Sequence, residues 1–168
     1  MTELARISQI DTLHKVAKRK AQRLLFDANS MGLNVGIFET RRLEERQAFL
    51  QGKKASRVSV SWHMLDLAID IWPKTDRGGW PTLGRFEAWD GWELLGEIGE
   101  RQGFEWGGRW RRWHDKCHFQ MTFGLNKSVA WKILNRSGRE ALHDFVSACV
   151  ENDTNFKSFL SGGPYVGS

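Results

Sequence analysis

The stretch Ser61–Asp70, SWHMLDLAID, sets His63 and Asp70 seven positions apart in a largely apolar run. As a straight strand, the run would hold the two about 23 Å apart on opposite faces. As a helix it would hold them about 10 Å apart along one face. Neither geometry lets both side chains touch one small ion. Either the two residues are unrelated, or the chain folds back on itself around Leu65-Asp66.

On either side of this stretch the sequence reads as a mixed α and β core. Downstream, LAIDIW is a β-branched, largely buried strand. Immediately upstream, RVSVSW alternates in strand fashion, and before it LNVGIFET reads as a short strand and LEERQAFLQG as a helix closed by Gly52. From Leu4 to Ala28 apolar residues recur at helical spacing while Lys15, Lys18, Arg19, Lys20 and Arg23 fill much of the rest, which predicts a long amphipathic helix, continuous or interrupted, ended by NSMG. A further helix is expected from about Phe86 to Gln102, with Phe86, Trp89, Leu94, Leu95 and Ile98 on its buried stripe. GFEWGGRW reads as a Gly- and Trp-rich loop, and a last helix is expected near Arg139 to Val150, ahead of the Gly-rich tail SGGPYVGS.

The 168 residues, 40% hydrophobic and 27% charged, are enough for one domain with a real core. We expect a core over 1–125, with 126–168 as a C-terminal helix and loose tail of the same domain. Cys117 and Cys149 are too few for a disulfide framework and lack the paired spacing of a cysteine zinc site. No apolar leader opens the chain and nowhere do about 18 apolar residues run together, so a soluble protein without a transmembrane segment is expected. A formal charge of +5 favours polyanionic company such as nucleic acid, anionic lipid or an acidic cell wall.

Metal-ligating side chains concentrate in two places, His63 with Asp70 and HDKCH, His114–His118. Catalytic zinc takes three protein ligands and a water, so two folded-back segments are able to supply a site. Asp115 and His118, three apart, share one side of a helical or 3₁₀ turn, which puts a carboxylate where a general base belongs. Spacing alone does not establish a metal site, since such intervals arise by chance in many proteins.

Four motifs taken in order say more. ETRRLEERQ, SWHMLDLAID, GFEWGGRW and DKCHF together resemble the zinc peptidases of the VanY/VanX type, in particular the phage endolysins of the L-alanyl-D-glutamate peptidase group. The family pattern is Thr-x-Arg after a strand, Ser-x-His-x-x-Gly-x-Ala-x-Asp, Glu-Trp-Gly-Gly-x-Trp, and a carboxylate three residues before His-Phe. The match runs from about Leu13 to Gln120. The resemblance implies a single-domain α+β fold in which a small antiparallel sheet carries the metal site and helices pack behind it. It implies Zn²⁺ held by His63, Asp70 and His118, Asp115 as catalytic acid/base, Arg42 holding substrate and stabilising the oxyanion, and Ser61 close to substrate. For Arg42, beside Arg41, a surface ion pair is the competing role; for Ser61, a hydrogen bond behind the ligands. His14, His114, His143 and Glu105 are expected to serve structure.

The implied reaction is hydrolysis of a peptide bond in the peptidoglycan stem peptide by a monomeric enzyme, with no nucleic-acid partner. Such an enzyme would be made in the host bacterial cytoplasm without a signal peptide and act at the cell wall or periplasm after release. One rival within the class is a D-alanyl-D-alanine carboxypeptidase or dipeptidase. A non-enzymatic rival is a basic, Trp-rich module for glycan or nucleic acid, which accounts for the composition but leaves His63, Asp70, Asp115 and His118 without a task. Two departures from the family pattern stand out. Asp66 replaces the glycine; Asp tolerates positive φ, so the turn survives, but its carboxylate is a candidate extra ligand or a perturber of Asp70. Cys117 stands where relatives often carry proline, and its thiolate is a minor competitor for zinc.

Overall fold

The computed structural model describes residues 4–152; residues 1–3 and 153–168, including the SGGPYVGS tail, lie outside the described residues. Four strands form one antiparallel sheet: β1 (Val35–Glu39), β2 (Ala68–Pro73), β3 (Glu105–Trp106) and β4 (His118–Gln120), in the order β1-β2-β4-β3. Successive side chains alternate across a strand. Ile69, Ile71 and Phe119 therefore enter the core while Asp70, Trp72, His118 and Gln120 line a cleft on the other face. The fold is α+β, as the resemblance implies.

Helices α1 (Lys15–Ser30) and α4 (Trp92–Arg101) pack behind the sheet. The buried stripe of α1, Val16, Ala17, Ala21, Leu24 and Ala28, follows the helical period of the sequence. The helix does not extend back to Leu4. Residues 4–9 are irregular, Ile10–Thr12 make one 3₁₀ turn, and His14 caps α1 by accepting the Val16 N–H at 3.4 Å. The leading segment is held instead by Thr40, whose N–H donates to Ile7 O at 2.7 Å.

Three other expectations are corrected. RVSVSW is not a strand: Val58 is exposed, and Ser61 caps a 3₁₀ turn over Trp62–Leu65. The helix expected from Phe86 to Gln102 is two, α3 (Leu83–Glu87) and α4, because the chain turns at residues 88–91 and the Trp92 indole N–H takes the Phe86 carbonyl at 3.0 Å. Phe86, Leu95 and Ile98 are buried as expected, Trp89 and Leu94 only half-buried, and Trp92 joins the core. The last helix, α5 (Lys127–Asn152), begins earlier than expected and breaks at Gly138, whose φ of 84° no helix accommodates. Its second segment, from Arg139, is the stretch the sequence pattern marked. Between β1 and the 3₁₀ turn, α2 (Glu44–Gly52) falls where the sequence places it.

The sheet meets α4 closely. A Cβ on Gly96 would lie 2.3 Å from the Trp106 ring, so only glycine lets that indole lie flat against the helix. Among the described residues no helix is long and apolar enough to cross a membrane.

Candidate metal centre

The fold-back posed by SWHMLDLAID exists. Trp62–Leu65 form the 3₁₀ turn, Asp66 closes it in the left-handed region (φ 60°, ψ 28°), and β2 returns antiparallel to its neighbours. His63 Nε2 and Asp70 Oδ1 end 3.1 Å apart. The third member arrives by strand pairing: Asp70 is registered opposite His118 on β4, so their side chains share one face. His118 Nδ1 lies 3.1 Å from Asp70 Oδ1 and 3.2 Å from His63 Nε2. All three residues are buried.

The tautomers follow from their outer contacts. His63 Nδ1 is 2.6 Å from Thr40 O, which only accepts, so that nitrogen carries the proton and Nε2 presents a lone pair. His118 Nε2 is 3.0 Å from Gln120 Oε1, whose amide nitrogen donates to Glu105 Oε2, so His118 Nδ1 likewise presents a lone pair. Three acceptors facing one another need positive charge between them, which a proton on one imidazole or a divalent cation supplies. Ligands of tetrahedral zinc at about 2.0–2.1 Å lie roughly 3.3 Å apart, close to the spacing seen. The residue set fits the ion.

The electrostatics agree. Burial pushes the Asp70 carboxyl up, but the two imidazoles outweigh it and hold it well below the usual carboxylate range. Burial pushes His118 down, and Asp70 and Asp115 outweigh that to raise it. Asp115 is pushed up by its own burial and by the Asp70 charge.

Asp115 lines the same cleft, of about 420 Å³, as His63, Asp70 and His118. A turn places it: His118 N–H donates to Asp115 O at 3.1 Å, and Asp115 N–H to Gly107 O at 3.0 Å. This explains the first glycine of EWGG, while a Cβ on the second would meet the Trp106 ring. A Cβ on Gly107 would lie 2.5 Å from Asp115 O and 3.3 Å from the His118 Cβ. Gly107→Ala is therefore expected to displace the turn and lower kcat by about 100-fold, the scale of a 1 Å misplacement. Steady-state kinetics on protein of verified metal content checks this.

Arg42 is no surface residue. It donates to Glu39 through Nε at 3.1 Å, to Gln47 Oε1 through Nη1 at 3.1 Å, and reaches Asp70 Oδ2 at 3.4 Å. Glu39 also accepts from Arg46 Nε. A bulge in β1 at Phe38 turns Glu39 toward Asp70, its partner in register. Glu39, Arg46 and Gln47 carried no periodic signal in the sequence. Gln120 did: two positions after His118 on one strand, it had to share that face. Ser61 Oγ accepts the His63 N–H at 3.3 Å and lines the cleft.

Asp66 is not an extra ligand. It points away from the three converging atoms, into a cluster with Arg41, Arg139 and His143. Cys117 stays outside the group as well. Burial and the charges of Asp70 and Asp115 push its thiol well up, and it donates to Asp115 Oδ1 at 3.2 Å. His14, driven down to about 4 by burial and by His143, and exposed His114 lie outside the cleft lining.

Known proteins share this arrangement of sequence. Residues 54–121 match the family described as D-alanyl-D-alanine carboxypeptidase. Over 122 residues the chain is 33% identical to the peptidoglycan L-alanyl-D-glutamate endopeptidase CwlK of Bacillus subtilis (strain 168), an overlap covering 65% of this chain and 73% of that protein. The chain belongs to the VanY/VanX-type peptidase family. A second family relative, the L-alanyl-D-glutamate peptidase of Listeria phage A118, is 30% identical over 117 residues, 70% of this chain. The chain spans only 41% of that phage protein. In fold, this VanY/VanX-type chain is similar to the Serratia marcescens L-Ala D-Glu endopeptidase ChiX (TM-score 0.54, 21% identity, covering 71% of this chain and 92% of that one).

Proposed function

We propose that this chain is a zinc-dependent endopeptidase that hydrolyses the L-alanyl-D-glutamate bond of the peptidoglycan stem peptide and acts at the bacterial cell wall. The observation that carries the reading is the convergence of two imidazole lone pairs and one carboxylate oxygen at 3.1–3.2 Å on the floor of an open cleft. The bond is chosen by similarity to two peptidases of that specificity.

His63, Asp70 and His118 would hold the ion, Thr40 O and Gln120 fixing the two rings from behind. Zinc in such a site supplies Lewis acidity, polarising a carbonyl and making a water nucleophilic near neutral pH. Asp115 takes the proton of the attacking water and later returns it to the departing amine, a role suited to a carboxyl whose pKa is raised by burial and by Asp70. Arg42, braced by Glu39 and Gln47, holds a fixed positive charge at the edge of the centre where the oxyanion develops. Ser61 lines the cleft with its oxygen accepting the His63 N–H, and its own O–H is the donor it would offer to substrate. Lys127 over Trp62 and Arg57 over Trp113 bring further positive charge to the cleft, facing the carboxylates of the stem peptide.

Digestion of purified sacculi with and without a chelator, followed by mass spectrometry of the fragments, tests the reading. Release of new N-terminal D-glutamate, abolished by chelator and restored by zinc, is expected. Loss of terminal D-alanine instead would select the carboxypeptidase reading, which the description of the matched family favours.

Metal binding is expected to weaken on acidification. His118 has its proton held by Asp70 and Asp115, and it must lose that proton before it can ligate. Calorimetry in buffers of differing ionisation enthalpy should find that proton release on zinc binding falls off only as pH rises above histidine's ordinary value of about 6.5.

A further inference from the structure

Asp66 is fully buried, and its carboxylate gathers two guanidinium groups and an imidazole from two distant parts of the chain. Arg41, just past β1, makes a bidentate pair through Nε at 2.8 Å and Nη2 at 2.9 Å. Arg139 Nη1, at 2.7 Å, and His143 Nε2, at 2.8 Å, come from the second segment of α5. The same groups clasp the backbone around the His63 turn. Arg41 donates to Thr12 O at 3.0 Å, Arg139 to Met64 O at 3.3 Å, and Asp66 O accepts from His14 N–H at 3.0 Å.

The neighbours of Arg41 in the chain carry this clasp to the centre. Thr40 presents the carbonyl that receives the His63 Nδ1 proton, and Arg42 N–H donates to His63 O at 3.1 Å. Fixing Arg41 fixes the residues on both sides of it, and with them the tautomer and aim of His63. Outer contacts of this kind govern how well a ligand binds its metal.

We propose that Asp66 is a positioning residue through which the C-terminal helix sets the metal affinity of the centre. The inference rests on reading His63, Asp70 and His118 as the ligands. A merely structural clamp would change the melting temperature and leave affinity for the ion alone; a positioning clamp changes affinity in the folded protein.

Arg139→Gln removes one charge from the half-buried end of the cluster and leaves Arg41 and His143 on Asp66, so the chain retains its fold. Zinc affinity is measured by competition with a chromophoric chelator, alongside circular dichroism and kcat per bound zinc. The expected result is an affinity about ten-fold weaker, the lower end of what such outer contacts contribute, with a native spectrum and nearly unchanged kcat per zinc. Asp66→Asn, which keeps the size and tolerates the left-handed backbone, is expected to weaken affinity further, and Arg139→Lys to restore part of it. Wild-type zinc affinity in folded Arg139→Gln overturns the proposal while leaving the centre intact. A wild-type chain that binds no zinc overturns the reading of the centre and the proposal together.

Discussion

Asp115→Ala is expected to bind zinc as the wild type does and to lose turnover by about 10²–10⁴-fold, the usual contribution of a positioned acid or base. The two parts of this result come from different atoms. The converging set consists of His63, Asp70 and His118, and Asp115 is not in it. Truncation at Cβ leaves the backbone bonds of the turn, to Gly107 O and from His118 N–H, in place. What disappears is a carboxyl in the cleft whose pKa is raised by burial and by Asp70, the direction that favours taking up a proton. The Cys117 thiol loses its acceptor at the same time, a small effect beside the loss of the base. Because the group acts on the reacting water, kcat should fall while KM changes little. Metal content by mass spectrometry and kinetics on a soluble stem peptide check both halves; full activity in this variant would remove Asp115 from the mechanism.

His63→Ala has the wider effect. Loss of one of three ligands is expected to reduce zinc content to background and activity below detection, and the damage does not stop at the ion. His63 is buried, donates to Thr40 O and faces Asp70. Its removal strips Asp70 of one of the two imidazoles that keep its buried carboxylate ionised. Removing the ring also leaves the buried Thr40 carbonyl without its donor, at a cost of about 1–3 kcal/mol, so the variant should also melt earlier than metal-stripped wild type. The comparison with stripped protein matters, since it separates loss of the ion from loss of the side chain. Zinc titration and thermal melts of the two apo proteins report it.

The sequence showed the centre more clearly than its surroundings. Spacing marked His63 and Asp70 only as candidates, with a fold-back required for them to meet; their reading as ligands came from the resemblance of four motifs taken in order, and the structure supplies the fold-back. The three-residue interval between Asp115 and His118 survives in the structure as a turn, although their reading as base and ligand came from the motif resemblance and not from the interval. The partners of Arg42 were not legible: Glu39 is turned inward by a bulge, which leaves no periodic trace in one sequence, and Arg46 and Gln47 are brought to it by α2. RVSVSW misled for a related reason. Its alternation imitates a strand, yet Val58 and Ser59 meet no neighbouring strand, and Ser61 is spent on capping the next turn. Asp66 misled in the opposite direction. Its nearness to His63 in sequence suggested a ligand, whereas its partners Arg139 and His143 lie more than seventy positions away, a distance over which sequence pattern says nothing. The break at Gly138 was hidden inside an otherwise helical composition, and only its positive φ reveals two segments.

X-ray absorption at the zinc edge, on protein as purified, tests the central claim most directly. The account predicts about one zinc per chain surrounded by nitrogen and oxygen at about 2.0–2.1 Å, with the scattering signature of two imidazoles and no sulfur. A shell at about 2.3 Å would place the Cys117 sulfur on the metal. That result, or a chain whose activity persists with no metal bound, would contradict it.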